Sequence, residues 1–143
     1  MKFKSVFAVI CLVTLLSSCK KDKVGDDCSV TTNNLAATHK LTSLKYKLSA
    51  GMPELDYLLF LEDCERDDLI KLKSNGIYSY TDAGTACSPS GSETGTRRVI
   101  GNSLQSDGRI TCSIRSYDCK DLVYFFDNAV TQGDRLTFTM TKQ

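Results

Sequence analysis

From Lys40 to Gln143, apolar side chains recur at every second position. That spacing restricts the chain to strands with one face hidden from water. Leu44, Tyr46 and Leu48 alternate with Lys45 and Lys47, and Ile70 and Leu72 alternate with Lys71 and Lys73. Tyr78 and Tyr80 share one face. Further along, Ile110, Cys112 and Ile114 oppose Thr111, Ser113 and Arg115. Leu122, Tyr124 and Phe126 follow, then Leu136, Phe138 and Met140 against threonines. Turn signals separate these runs at Ser74-Asn75-Gly76, Gly101-Asn102, Ser106-Asp107-Gly108 and Gln132-Gly133-Asp134. Asn75-Gly76 is expected to supply the positive φ angles of a tight turn. Six or more meandering strands resolve their exposed edges by curling into a barrel or a sandwich. The expectation is a mainly β domain over 38–143, an antiparallel barrel of about eight strands.

One segment departs from period two. Leu55, Leu58 and Leu59 stand at i, i+3 and i+4, Pro53 suits a first helical position, and Glu54 and Asp56 enrich the first turn. A short helix is expected over 53–62, with a strand as the competing assignment.

The N-terminus fixes a compartment. Lys2 and Lys4 precede an apolar run from Val6 to Leu16, broken only by Thr14. As a helix the run is about 16 Å long, too short for a bilayer core of about 30 Å but right for a signal-peptide core. Leu16-Ser17-Ser18-Cys19 follows, and it resembles the lipobox of bacterial lipoproteins. The resemblance implies cleavage after residue 18 and acyl chains on Cys19, the two together anchoring the chain to a membrane. The mature chain has 125 residues, with 16 basic against 17 acidic side chains once Lys2 and Lys4 are gone. Near-neutral charge with no basic stripe gives nucleic acid nothing to bind. Residues 19–37 are polar and aperiodic after the acylated cysteine and are expected to form a flexible tether.

Cys28, Cys64, Cys87, Cys112 and Cys119 remain as thiols in an oxidising compartment. Two pairs among five thiols allow fifteen arrangements. Cys64 precedes one hairpin and Cys87 follows it, which makes them one expected pair. Cys112–Cys119 is the second, if the strand turns back at Ser116-Tyr117-Asp118. Cys28 is then left over in the tether. No C-x-x-C pair occurs and His39 is the only histidine, so neither a zinc site nor another metal site is expected, and no cofactor is implied.

Much of the domain resembles the lipocalin-like domain of small lipoproteins of Gram-negative bacteria. The resemblance rests on 36–46, on Cys64-Glu65-Arg66-Asp67-Asp68, on Gly76 and Tyr78, on Cys87, and on 95–105. His39 and Arg97 stand where that family usually has tryptophan, and this chain has no Trp. The resemblance implies a barrel with room for a ligand.

Asp63 to Asp68 fails the calcium-loop template, because Asp68 stands where glycine belongs and Ser74 where glutamate belongs. Neighbouring acids in one turn have no cause to split their pKa values for catalysis. A histidine in a β-run beside lysine is more often structural than a general base. No residue is therefore assigned a catalytic role. Asp67 or Asp68 is expected to cap backbone N–H groups. The functional expectation is a lipid-anchored, non-catalytic module for a small apolar ligand, in the cell envelope and at the outer membrane. The alternative is an interaction module for an envelope protein, with a solid barrel core.

Overall fold

A computed structural model describes residues 27–143. The expected signal peptide, Cys19 and the first residues of the expected tether lie outside the described residues.

Nine strands form one antiparallel sheet: β1 (Ala37–Lys47), β2 (Leu55–Asp56), β3 (Leu69–Leu72), β4 (Ile77–Thr81), β5 (Glu93–Ile100), β6 (Ser103–Ser106), β7 (Ile110–Tyr117), β8 (Asp121–Asp127) and β9 (Arg135–Lys142). β1 pairs with β3 at its start and with β9 along most of its length. That last pairing closes β1 and β3–β9 into an eight-stranded, lipocalin-like barrel. β2 is a two-residue flap on the far end of β1, at Lys45 and Tyr46. Closure leaves no long edge unpaired, which is the physical reason a meander of this number curls.

Alternation decides which side chains face inward, and two bulges correct its phase. Between Leu41 and Ser43 the β1–β9 register slips, so Leu41 and Leu44 both reach the interior three positions apart. Between Ile114 and Ser116 the β7–β8 register slips, which turns Tyr117 onto the core. The core gathers Leu35, Leu72, Leu104, Cys112, Ile114, Leu122 and Met140.

Four expectations are corrected. Residues 53–62 do not form a helix. Asp56 accepts from Leu58 N (3.2 Å) and pairs with Lys45 (3.1 Å), which diverts the backbone after β2 into a 3-10 turn, Leu58–Phe60. The helical spacing of leucines finds nothing to bury it, since Leu55 and Leu59 are exposed. The only α-helical turn among the described residues, α1, is Asp63–Arg66. At the β3–β4 turn Gly76 alone takes positive φ (81°), and its N–H donates to the Lys73 carbonyl (3.1 Å). A Cβ at Gly76 would come within 2.9 Å of the Arg97 carbonyl.

The third correction moves the domain boundary. Residues 27–37 are not a free tether. Residues 32–35 make a turn, with Leu35 N–H donating to the Thr31 carbonyl (3.0 Å), that carries Leu35, fully buried, across one end of the barrel. Tyr117 Oη donates to the Asn34 carbonyl (2.7 Å), and Arg97 donates to the Thr32 carbonyl (3.0 Å). Cys28 is bonded to Cys119 in the β7–β8 turn, with Cα atoms 4.9 Å apart. Cys112 therefore does not pair with Cys119. β7 runs straight through Tyr117 instead of turning back, which puts the two cysteines about 20 Å apart along the chain. A disulfide needs Cα atoms within about 7 Å. Cys112 faces the lumen as a free, buried thiol, and its S–H donates weakly to the Leu104 carbonyl (3.6 Å).

Candidate ligand site

The barrel has one plugged end and one open end, and a cavity of about 200 Å³ lies between them. Leu72, Leu104, Leu122, Phe126 and Met140 supply much of its wall. Exposed Glu93 and Ile110 also line it, so its mouth lies at the open end, between β5 and β7. A second void of about 250 Å³ adjoins it and shares Ile70, Tyr124 and Met140. Each is below the roughly 300–1,000 Å³ of drug-sized sites, so the lumen suits a small ligand. Tyr124 and Phe138 stack at 5.0 Å between centroids, with Phe126 edge-on to both.

At the mouth, Tyr78 lies across Gly95, its cross-strand partner. A Cβ there would meet the Tyr78 ring at 2.5 Å. Tyr78 Oη donates to Asp107 (2.8 Å) and approaches Glu93 (3.3 Å). The bond to Asp107, with burial and the charge of Glu93 behind it, pushes the Tyr78 phenol up to about 12. Tyr78 therefore stays protonated and holds the rim.

The floor is polar. His39 is 1% exposed, and its Nε2 donates to the Leu35 carbonyl (3.1 Å). Its Nδ1 is buried with no partner. Burial lowers the His39 pKa, the Leu35 carbonyl opposes that, the positive charges of Lys142 and Arg97 lower it further, and the Met140 backbone, near the ring though outside ordinary hydrogen-bond geometry, raises it slightly. The ring is neutral at pH 7. Arg97 is 5% exposed and donates through one nitrogen, Nη2, to the carbonyls of Thr32 and Lys73, each 3.0 Å away. Nε and Nη1 are buried without partners. Burial alone accounts for the downward shift of its pKa, and no neighbouring carboxylate offsets it.

The acidic run organises the rim. Cys64 and Cys87 are joined, with Cα atoms 5.2 Å apart. Glu62 and Glu65 form a capping box on α1. Asp67 accepts from Thr85 N (3.0 Å); Asp68 accepts from Ala83 N (3.2 Å) and from Tyr80 Oη. Gly84 packs so closely on Asp67 that any side chain there would collide with the carboxylate. These acids hold the loop between β4 and β5, and two of them, Glu65 and Asp68, also line the second void. Among the described residues, no group of three or more His, Cys, Asp or Glu side chains converges to hold a metal.

A larger void, about 420 Å³, lies against charged side chains such as Lys47, Glu54 and Arg115. Its Arg135 is already paired with Asp127 (2.6 Å). Arg97 has no such partner among the described residues, and this contrast singles out the lumen. The sequence drew attention to Arg97 only as a departure from a tryptophan pattern, and to His39 also as the one histidine, weighed for metal and base chemistry. Their place together at the floor emerges from the fold, as does the role of Leu35. A charged residue at an inward position of a strand was the available signal for Arg97.

No protein-family model matches the chain, and comparison with curated proteins finds no match. The fold and the site define a class: a small closed antiparallel barrel with an internal cavity.

Proposed function

We propose that this chain is a lipid-anchored envelope lipoprotein whose barrel is a non-catalytic binding module for a small, largely apolar ligand. The observation that carries it is the void inside the barrel, apolar along its walls and open at one end. A lumen filled by its own side chains would have favoured a protein-binding surface instead. Anchoring through acylated Cys19 would hold the molecule at a membrane of the cell envelope, with the outer membrane as the proposed location.

The Cys28–Cys119 bond limits the reach of the tether in this proposal. Nine residues from Cys19 to Cys28 reach at most about 30 Å. The plugged end therefore stays within about 30 Å of the membrane. Leu48, Met52, Leu55, Leu59 and Phe60, all exposed beside the flap, favour the second reading, contact with an envelope protein.

Native mass spectrometry of the chain extracted from membranes tests the proposal. The expected result is an acylated Cys19 and a co-purified small molecule that heat or organic solvent removes. An unmodified Cys19 would contradict the anchor. An empty barrel that also binds no added amphiphile would contradict the ligand.

A further inference from the structure

Arg97 presents five N–H donors, and only the two on Nη2 are engaged. The other three, on Nε and Nη1, are buried and unmatched. A buried cation is tolerated when it is paired and hydrogen-bonded. Among the described residues Arg97 forms no ion pair. The nearest acid across the strand pairing is Asp107, but its carboxylate is taken up by Thr96 N (2.6 Å) and Tyr78 Oη (2.8 Å), and Glu93, in the cavity wall, is four residues away on the same strand, about 13 Å up the barrel. Glu93 is at the exposed rim beside Tyr78 Oη. The floor thus has a fixed positive charge, its carrier pinned by the plug and the β3–β4 turn, with no counter-charge of its own. His39, a buried imidazole, lines the same cavity.

Resting on the ligand-holding function proposed above, we infer that the ligand is a monocarboxylate with an apolar tail, its carboxylate seated on Arg97 at the floor and its tail running toward the mouth. One guanidinium beside a neutral imidazole balances one negative charge, which favours a carboxylate over a dianionic phosphate. The apolar wall of Leu72, Leu104, Leu122 and Phe126 accommodates the tail. A cationic amphiphile would be repelled by the floor, and a neutral alcohol would leave the charge unpaired.

Calorimetry on the full chain in nanodiscs, with empty nanodiscs as reference, would compare octanoate, 1-octanol and octylamine. Octanoate is expected to bind at least about tenfold more tightly than 1-octanol, and octylamine not to bind. Arg97→Gln is expected to bring octanoate down to the level of the alcohol, while Arg97→Lys keeps part of the preference. Arg97→Gln also removes two bonds to the plug, so a readout on the unaltered chain is needed. The Arg97 Nε–H resonance is expected to shift with octanoate and to stay with 1-octanol. Equal affinity for acid and alcohol, with that resonance unmoved, would overturn the carboxylate assignment and leave the ligand-holding function standing. Failure of all three probes to bind would overturn both.

Discussion

The two ends of the barrel are built on different physics. At the plugged end, residues 28–35 are bolted to the β7–β8 turn, Leu35 is fully buried, and His39 and Arg97 hydrogen-bond to plug carbonyls. At the open end, loops are held by carboxylates on backbone N–H groups and by the Cys64–Cys87 bond, while several large apolar side chains face water. One end is ordered by burial and the other by surface hydrogen bonds. Stability should therefore concentrate at the plug, and freedom to admit a ligand at the mouth.

The largest expected difference is between the two disulfides. Cys28–Cys119 spans 91 residues and Cys64–Cys87 spans 23. Loop-closure entropy puts the loss at about 4.5 kcal/mol for the double Cys→Ser change at the plug and about 3.5 kcal/mol at the mouth. Urea unfolding of the two variants measures both, and a reversed order would break the contrast. Leu35→Ala comes next, at about 3 kcal/mol, because it opens a cavity in a fully buried site. A cost under about 1 kcal/mol would mean the plug is not part of the core.

A pH effect follows from His39. Its folded pKa lies below the ordinary value because of burial first, so the unfolded chain binds the extra proton as pH falls through about 6.5. Stability is therefore lost on acidification between pH 7.5 and 5.5. Asp107, Asp118 and Asp134, with pKa values already lowered in the fold, do not titrate in that range. The urea midpoint is expected to drop over the interval in the native chain and to stay flatter in His39→Gln; equal slopes would remove His39 as the cause. The smallest effect is expected at the mouth. Leu59→Ser with Phe60→Ser alters side chains that are 72% and 73% exposed, and should move stability by less than about 0.5 kcal/mol.

Where inward positions are apolar, the strands were legible from alternation: β1, β3, β4 and β7–β9 all emerge that way. β5 was hidden because its inward positions are Glu93, Gly95, Arg97 and Val99. Two charges and a glycine mask period two, and one of those charges is the candidate anchor for a ligand. The bulges in β1 and β7 were equally silent, since one extra residue looks like a broken pattern. The plug escaped notice because it is short and polar except for Val30 and Leu35. Its order comes from contacts with distant Arg97, Tyr117 and Cys119, which no local propensity encodes.

The most direct test of the whole account is to find where an amphiphile touches the protein. Methyl-selective NMR of the full chain in nanodiscs with octanoate reads this from intermolecular NOEs. The expected contacts are with the methyl groups of Leu72, Leu104, Leu122 and Met140 inside the barrel. Contacts confined to Leu48, Leu55 and Leu59 would place binding on the outer surface and contradict the account.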